Sequence, residues 1–251
     1  MVRFGATELQ SSRHRSIRAW WLCGVALPAL QAQGEVLERS VVINGDRVHY
    51  KLVLPDDYDQ DQAYPAVLVF GGGPQTMQTV DSVIERSFRE QAESRGFIVV
   101  APAASDGNLF FRDGERIFPA FLDAILAELP VSDDKFHVAG PSNGGIAAFH
   151  IAARLPQYFV SVTAFPGYLW QPTNAKLDAL SGLCVFAYIG ENDEYPWHEE
   201  MLREVEYLKS NGTFAQYSLE AGQPHRLATL AGGGAARLFD NFARAERGCD
   251  L

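Results

Sequence analysis

From about residue 41 onward the chain alternates short apolar runs with longer stretches in which apolar residues recur at helical spacing. Runs at 41–43 and 48–54 flank Asn44-Gly45. That dipeptide tolerates positive φ at both positions and so predicts a tight two-residue hairpin. Six further runs, at 66–70, 97–101, 136–139, 160–164, 183–189 and 214–218, are apolar without strict alternation. They read as strands buried on both faces of a parallel sheet. Stretches at 80–95, 117–129, 145–155 and 201–211 carry the helical period, and a last helix is predicted over 226–244. The predicted class is α/β: a mostly parallel twisted sheet with an N-terminal antiparallel hairpin and helices on both faces. In such sheets chemistry gathers outside the carboxyl ends of the strands, so those loops are the ones to search.

One of those loops holds Gly140-Pro141-Ser142-Asn143-Gly144-Gly145, between the 136–139 strand and the 145–155 helix. A G-x-S-x-G sequence in strand-turn-helix context forms a nucleophile elbow. The serine takes a strained backbone conformation, and glycines leave room where strand and helix crowd together. The hydroxyl then stands at the positive end of a helix, where the next backbone N–H can meet a developing oxyanion.

A serine hydroxyl needs a base, and the base needs an orienting acid. Of the six histidines, His14 lies near the N-terminus, His49 and His137 fall within predicted strands, and His150 is two turns into the helix after the elbow. His198, at the start of a helix after Trp197, stays open as a rival. His225 follows the last strand on the side where Ser142 emerges, and is the predicted base. For the acid, Asp193 follows the 183–189 strand at its carboxyl end, with Glu191 as its rival. A second oxyanion donor is expected from Phe70-Gly71-Gly72-Gly73, which closes the 66–70 strand. Gly72 and Asn143 are the predicted backbone donors, with Gly73 as the alternative to Gly72. The glycine run lacks the spacing of a phosphate-binding loop, and neither a His-Glu-x-x-His sequence nor a spaced cysteine pair signals a metal. No cofactor and no metal are expected.

The N-terminus reads as an export signal. Arg13, Arg15 and Arg18 precede an apolar run from Ala19 to Leu30, with small Ala32 after it. The run is too short for a bilayer, which takes about 20 residues. Residues 1–32 are therefore expected to be removed, leaving 33–251 as one catalytic domain that is secreted or periplasmic. That removal takes Arg3, Arg13, Arg15, Arg18 and Glu8, and moves the formal charge from −10 to about −13. A surface this acidic repels polyanions, which argues against nucleic acid and against a stable association with anionic membrane. With 47% apolar and 21% charged residues the chain has an ordinary globular composition.

The glycine run, the elbow, Asp193 and His225, in that chain order, resemble the α/β-hydrolase superfamily. Within it the chain is similar to secreted esterases related to feruloyl esterases and polyhydroxybutyrate depolymerase-like enzymes. The resemblance spans about 38–245 and implies a serine esterase acting on small or polymeric esters. Two alternatives share the sequence features: a prolyl-oligopeptidase-like serine peptidase, and a catalytically silent α/β-hydrolase binding protein. Phe110, Phe111, Tyr168, Trp170, Tyr195 and Trp197 fall in three loops at the predicted active-site edge and predict an apolar, stacking cleft. Only the dozen or so residues from Tyr168 to Leu180 stand where a large lid would be inserted, so an open site is expected. Cys184 and Cys249 should finish at the same end of the domain. They either pair in an oxidising compartment or remain a core thiol and a free thiol in the tail.

Overall fold

The computed structural model describes residues 36–104 and 107–249. The predicted export signal lies outside them. Eight strands form one sheet in the order β1-β2-β4-β3-β5-β6-β7-β8. β1 (Val36–Ile43) and β2 (Asp46–Val53) make the opening hairpin. Asn44 and Gly45 sit at φ 52° and 91°, as the two-residue turn demands. β2 also pairs antiparallel with β4 (Ile98–Pro102). β3 (Tyr64–Val69), β5 (Val131–Gly140), β6 (Phe159–Ala164), β7 (Cys184–Gly190) and β8 (Ala215–Glu220) complete a parallel set with β4.

The sheet separates two apolar layers, because successive side chains of a strand point to opposite faces. Ala66, Leu68 and Phe70 lie in one layer, and Val67 and Val69 in the other. The first layer is filled by α3 (Phe118–Glu128), α4 (Asn143–Arg154), the short α5 (Asn174–Asp178) and α6 (His198–Ser210). α1 (Met77–Ser87), α2 (Arg89–Arg95) and α7 (Ala236–Glu246) cover the second. This is the α/β-hydrolase architecture, with the antiparallel pair at one edge and no large insertion between β6 and β7. No helix among the described residues is long and apolar enough to cross a membrane.

Four elements depart from the sequence pattern. The single helix predicted over 80–95 is two helices, broken at Phe88, which turns inward at φ −126° to pack on Phe165 and Phe239. The predicted last helix begins ten residues late, at Ala236. Its expected first half is a loop with two short 3₁₀ turns, and Gly232, Gly233 and Gly234 make a helix costly there. β1 and β5 begin earlier than their apolar runs. β1 is an edge strand that exposes Glu38, Arg39 and Ser40, whereas β5 starts with Val131, Ser132 and two aspartates at positive φ.

Candidate active site

The loops after β3, β5, β6, β7 and β8 converge at one end of the sheet. Ser142 stands between β5 and α4 at φ 56° and ψ −125°, a conformation uncommon for a residue with a Cβ. Its N–H donates to the Pro166 carbonyl oxygen at 2.7 Å, which ties the elbow to the loop after β6. Gly145 makes that contact possible: a Cβ there would come within 3.0 Å of the Gly167 Cα and 2.9 Å of the Gly140 carbonyl oxygen.

His225 Nε2 lies 2.9 Å from Ser142 Oγ, and His225 Nδ1 lies 2.8 and 3.0 Å from the two carboxylate oxygens of Asp193. With the imidazole neutral and its proton on Nδ1, that N–H donates to Asp193 while Nε2 accepts from the serine hydroxyl. The Asp193 side chain is fully covered, and its Oδ1 also accepts the Tyr195 N–H at 3.0 Å. Glu191 is exposed and accepts the Gly222 N–H at 2.8 Å, so it braces the histidine loop without touching the histidine. The two loops are further zipped by the Asn192 N–H donating to the Gln223 carbonyl oxygen at 2.8 Å. Gly190 permits this approach, since a Cβ would sit 2.7 Å from the Gln223 carbonyl carbon. Of the other histidines, His198 pairs with Tyr217, His150 with Glu115, and His137 with Ser161 and Glu246.

The glycine run passes directly beside the serine: a Cβ on Gly72 would be 3.7 Å from the Ser142 Cβ. Asn143 Nδ2 donates to the Gly73 carbonyl oxygen at 2.8 Å and fixes the spacing between the run and the first turn of α4. The Asn143 N–H belongs to that first turn, whose donors have no intrahelical acceptor. Gln75, fully buried, links three loops. Its Nε2 donates to the Asn143 carbonyl oxygen at 3.3 Å, its Oε1 accepts the Phe110 N–H at 2.9 Å, and its own carbonyl accepts the Ala104 N–H. An isolated glutamine carries no sequence signal for such a role.

A cavity of about 450 Å³ opens beside these groups, with Gly72, Gly73, Ser142, Phe165, His225 and Leu227 in its wall. None of the six aromatic residues expected to line the cleft is in the wall of this cavity. Phe110 and Phe111 are buried; Phe110 packs against Phe70 and Phe118, and Phe111 against Trp170. Tyr195 and Trp197 set their rings 4.6 and 4.9 Å from the imidazole of His225, and Tyr168 backs Trp197. Phe165 and Leu227, which do line the cavity, lie next to the elbow loop and the base.

Comparison with known proteins gives a concordant picture. Residues 117–239, which hold the serine, the aspartate and the histidine, match the Esterase family. Dipeptidyl-peptidase 5 of Porphyromonas gingivalis is 27% identical over 132 residues, or 46% of this chain and 19% of its own length. The chain thus spans about a fifth of that curated relative. Among solved structures, an S-formylglutathione hydrolase from Agrobacterium tumefaciens superposes with a TM-score of 0.65 at 15% identity, covering 84% of this chain and 95% of its own. The feruloyl esterase module from Clostridium thermocellum does so with a TM-score of 0.60 at 16% identity, covering 85% and 87%. The fold is that of the α/β-hydrolases, and the segment that matches the Esterase family model makes up just under half of the chain.

Proposed function

We propose that the protein is an exported serine esterase that cleaves carboxylic esters through an acyl-enzyme on Ser142, with His225 as base and Asp193 as orienting acid. The observation that carries this reading is the unbroken hydrogen-bonded relay from Ser142 Oγ through His225 to a covered Asp193. His225 Nε2 takes the serine proton as Oγ attacks the ester carbonyl. The resulting oxyanion is held by the N–H groups of Asn143 and Gly72. The tetrahedral adduct collapses as the C–O bond breaks, and the same imidazole returns the proton to the departing alcohol. Water, deprotonated by His225, then attacks the acyl-enzyme and releases the acid. Nothing in this sequence of steps calls for a metal or a cofactor.

Export is supported by the N-terminal pattern of arginines and apolar residues and by a disulfide between Cys184 and Cys249, a bond that persists in oxidising compartments. The partial match to a dipeptidyl-peptidase favours a second reading, since the same relay can cleave an amide. Rates on matched ester and anilide substrates separate the two. The primary test is labelling with a fluorophosphonate probe followed by peptide mapping. Modification is expected at Ser142 alone, and Ser142→Ala should lose label and p-nitrophenyl ester hydrolysis together, by about 10⁴-fold or more, while staying folded. An adduct on a different serine overturns the assignment.

A further inference from the structure

The wall of the cavity facing away from the relay is one face of α1. Thr79, Ser82, Val83 and Arg86 stand at helical spacing along it, and Arg226 closes the end next to His225. Two arginines therefore line the cavity that holds the nucleophile, and none of its lining residues is an aspartate or glutamate. Arg86 is half-buried and anchored: its Nη2 donates to the Leu227 carbonyl oxygen at 2.8 Å, which leaves most of its five N–H donors for something else. Arg226 makes no hydrogen bond and no ion pair among the described residues.

Arg226 is exposed, and the cost of the arrangement falls on half-buried Arg86. Burial, and after it the neighbouring Arg226 charge, both push Arg86 below the ordinary arginine range. Among the described residues six other arginines are ion-paired with carboxylates, Arg89 with Glu85 and Glu93, Arg95 with Asp240 and Arg237 with Glu220 among them. With acidic residues outnumbering basic ones 31 to 21, carboxylates are not scarce. A half-buried and an exposed arginine at one concave site beside a nucleophile, with no carboxylate in its lining, form a receptor for an anion.

We infer that the ester cleaved here carries a negatively charged group, a carboxylate, on the part that lies along α1, and that Arg86 and Arg226 select for it. This substrate class rests on the reading of Ser142 and His225 as an ester-cleaving pair. The guanidinium fork matches a carboxylate in geometry as well as charge, so charged esters gain over neutral ones of the same shape.

The test compares mono-p-nitrophenyl esters of glutaric and adipic acids with their methyl-capped, uncharged counterparts. A parallel pair of butyrates places the carboxylate on the alcohol side instead. In the unmodified enzyme kcat/KM should favour the charged member of at least one pair by roughly 10-fold or more, the effect of a charge-assisted hydrogen bond. Arg226→Gln should shrink that ratio by about the same factor, and Arg226→Glu should invert it. Arg86→Gln should act in the same direction, with Arg86→Lys falling between. A ratio near one on both sides, or a ratio unmoved by Arg226→Gln and Arg226→Glu, overturns the inference. Turnover of the methyl-capped esters and fluorophosphonate labelling of Ser142 report on the underlying esterase reading. If neutral esters are cleaved without charge preference, the substrate class alone fails. If nothing is cleaved and Ser142 resists the probe, the reading beneath it fails.

Discussion

Ser142 is held at positive φ without being a glycine, a conformation that costs on the order of 1–3 kcal/mol and persists only where the surroundings over-determine it. Those surroundings are specific: the N–H of Ser142 on Pro166, the glycines that let β6 and α4 close in, and Gln75 joining the neighbouring loops. A prediction at this scale follows from the two acids of the loop after β7. Asp193 touches the imidazole with both oxygens, whereas Glu191 reaches only the Gly222 N–H. Asp193→Asn should lower kcat by roughly three to four orders of magnitude through loss of the correct tautomer, with KM little changed. Glu191→Gln, which leaves the relay untouched, should cost less than about 10-fold. If steady-state kinetics show the reverse ranking, the acid is Glu191.

At the scale of elements, α6 connects the active-site rim to the core through an ionisable group. Glu204 is buried and both its oxygens accept the Leu169 N–H, at 3.0 and 3.2 Å. The segment so held carries Tyr168, which packs on Trp197, which in turn edges His225. Burial, reinforced by Glu200 and opposed by the Leu169 N–H, pushes the Glu204 carboxyl up from 4.5 to about 8. Because the folded value lies above the unfolded one, the associated stability is full below the unfolded value and is lost as pH rises through the folded one. The loss therefore falls between pH of about 4.5 and 8. Glu204→Gln removes this titration. Relative to the parent, the variant should gain stability between pH 5 and 8 by on the order of 3 kcal/mol. Urea melts of both proteins at the two pH values measure this directly, and a parallel pH dependence in parent and variant would show that Glu204 ionises freely.

Across the whole molecule, the sheet fixes which ends of the chain meet. Cys184 opens β7, so it lies at the end of the sheet opposite the Asp193 loop, and α7 carries the C-terminal tail back to the same end. There Cys184 and Cys249 form a disulfide with Cα atoms 5.8 Å apart, closing 65 residues of chain. The closed segment contains both Asp193 and His225 but the bond is remote from them. Cys249→Ser should lower unfolding free energy by on the order of 4 kcal/mol in the chain-entropy account, with kcat/KM preserved below the melting transition. Thiol titration of the denatured, unreduced protein lacking residues 1–32 should find no free thiol in the parent. Two free thiols there, or a Cys249→Ser variant as stable as the parent, would contradict a structural role for the bond.

Much of this protein was legible in its sequence because the decisive requirements are local. Alternation and apolar continuity belong to single strands, the Asn44-Gly45 turn to two residues, and the elbow to six, so each was readable without knowing its neighbours. Chain order and the carboxyl-end rule then brought Ser142, Asp193 and His225 to the same end of the sheet, where hydrogen bonds join them. The cavity was not legible. Which face of α1 looks inward depends on how that helix rotates against β2 and β4, and the Arg86 contact with Leu227 spans 141 residues of chain. For the same reason the place of Phe110 and Phe111 was open: a phenylalanine in a loop at the right edge is apolar whether it lines a cleft or fills the core, and their burial is settled by what Phe70, Phe118 and Trp170 leave open. Local backbone demands fixed the relay, and only the three-dimensional meeting of distant side chains decided what surrounds it.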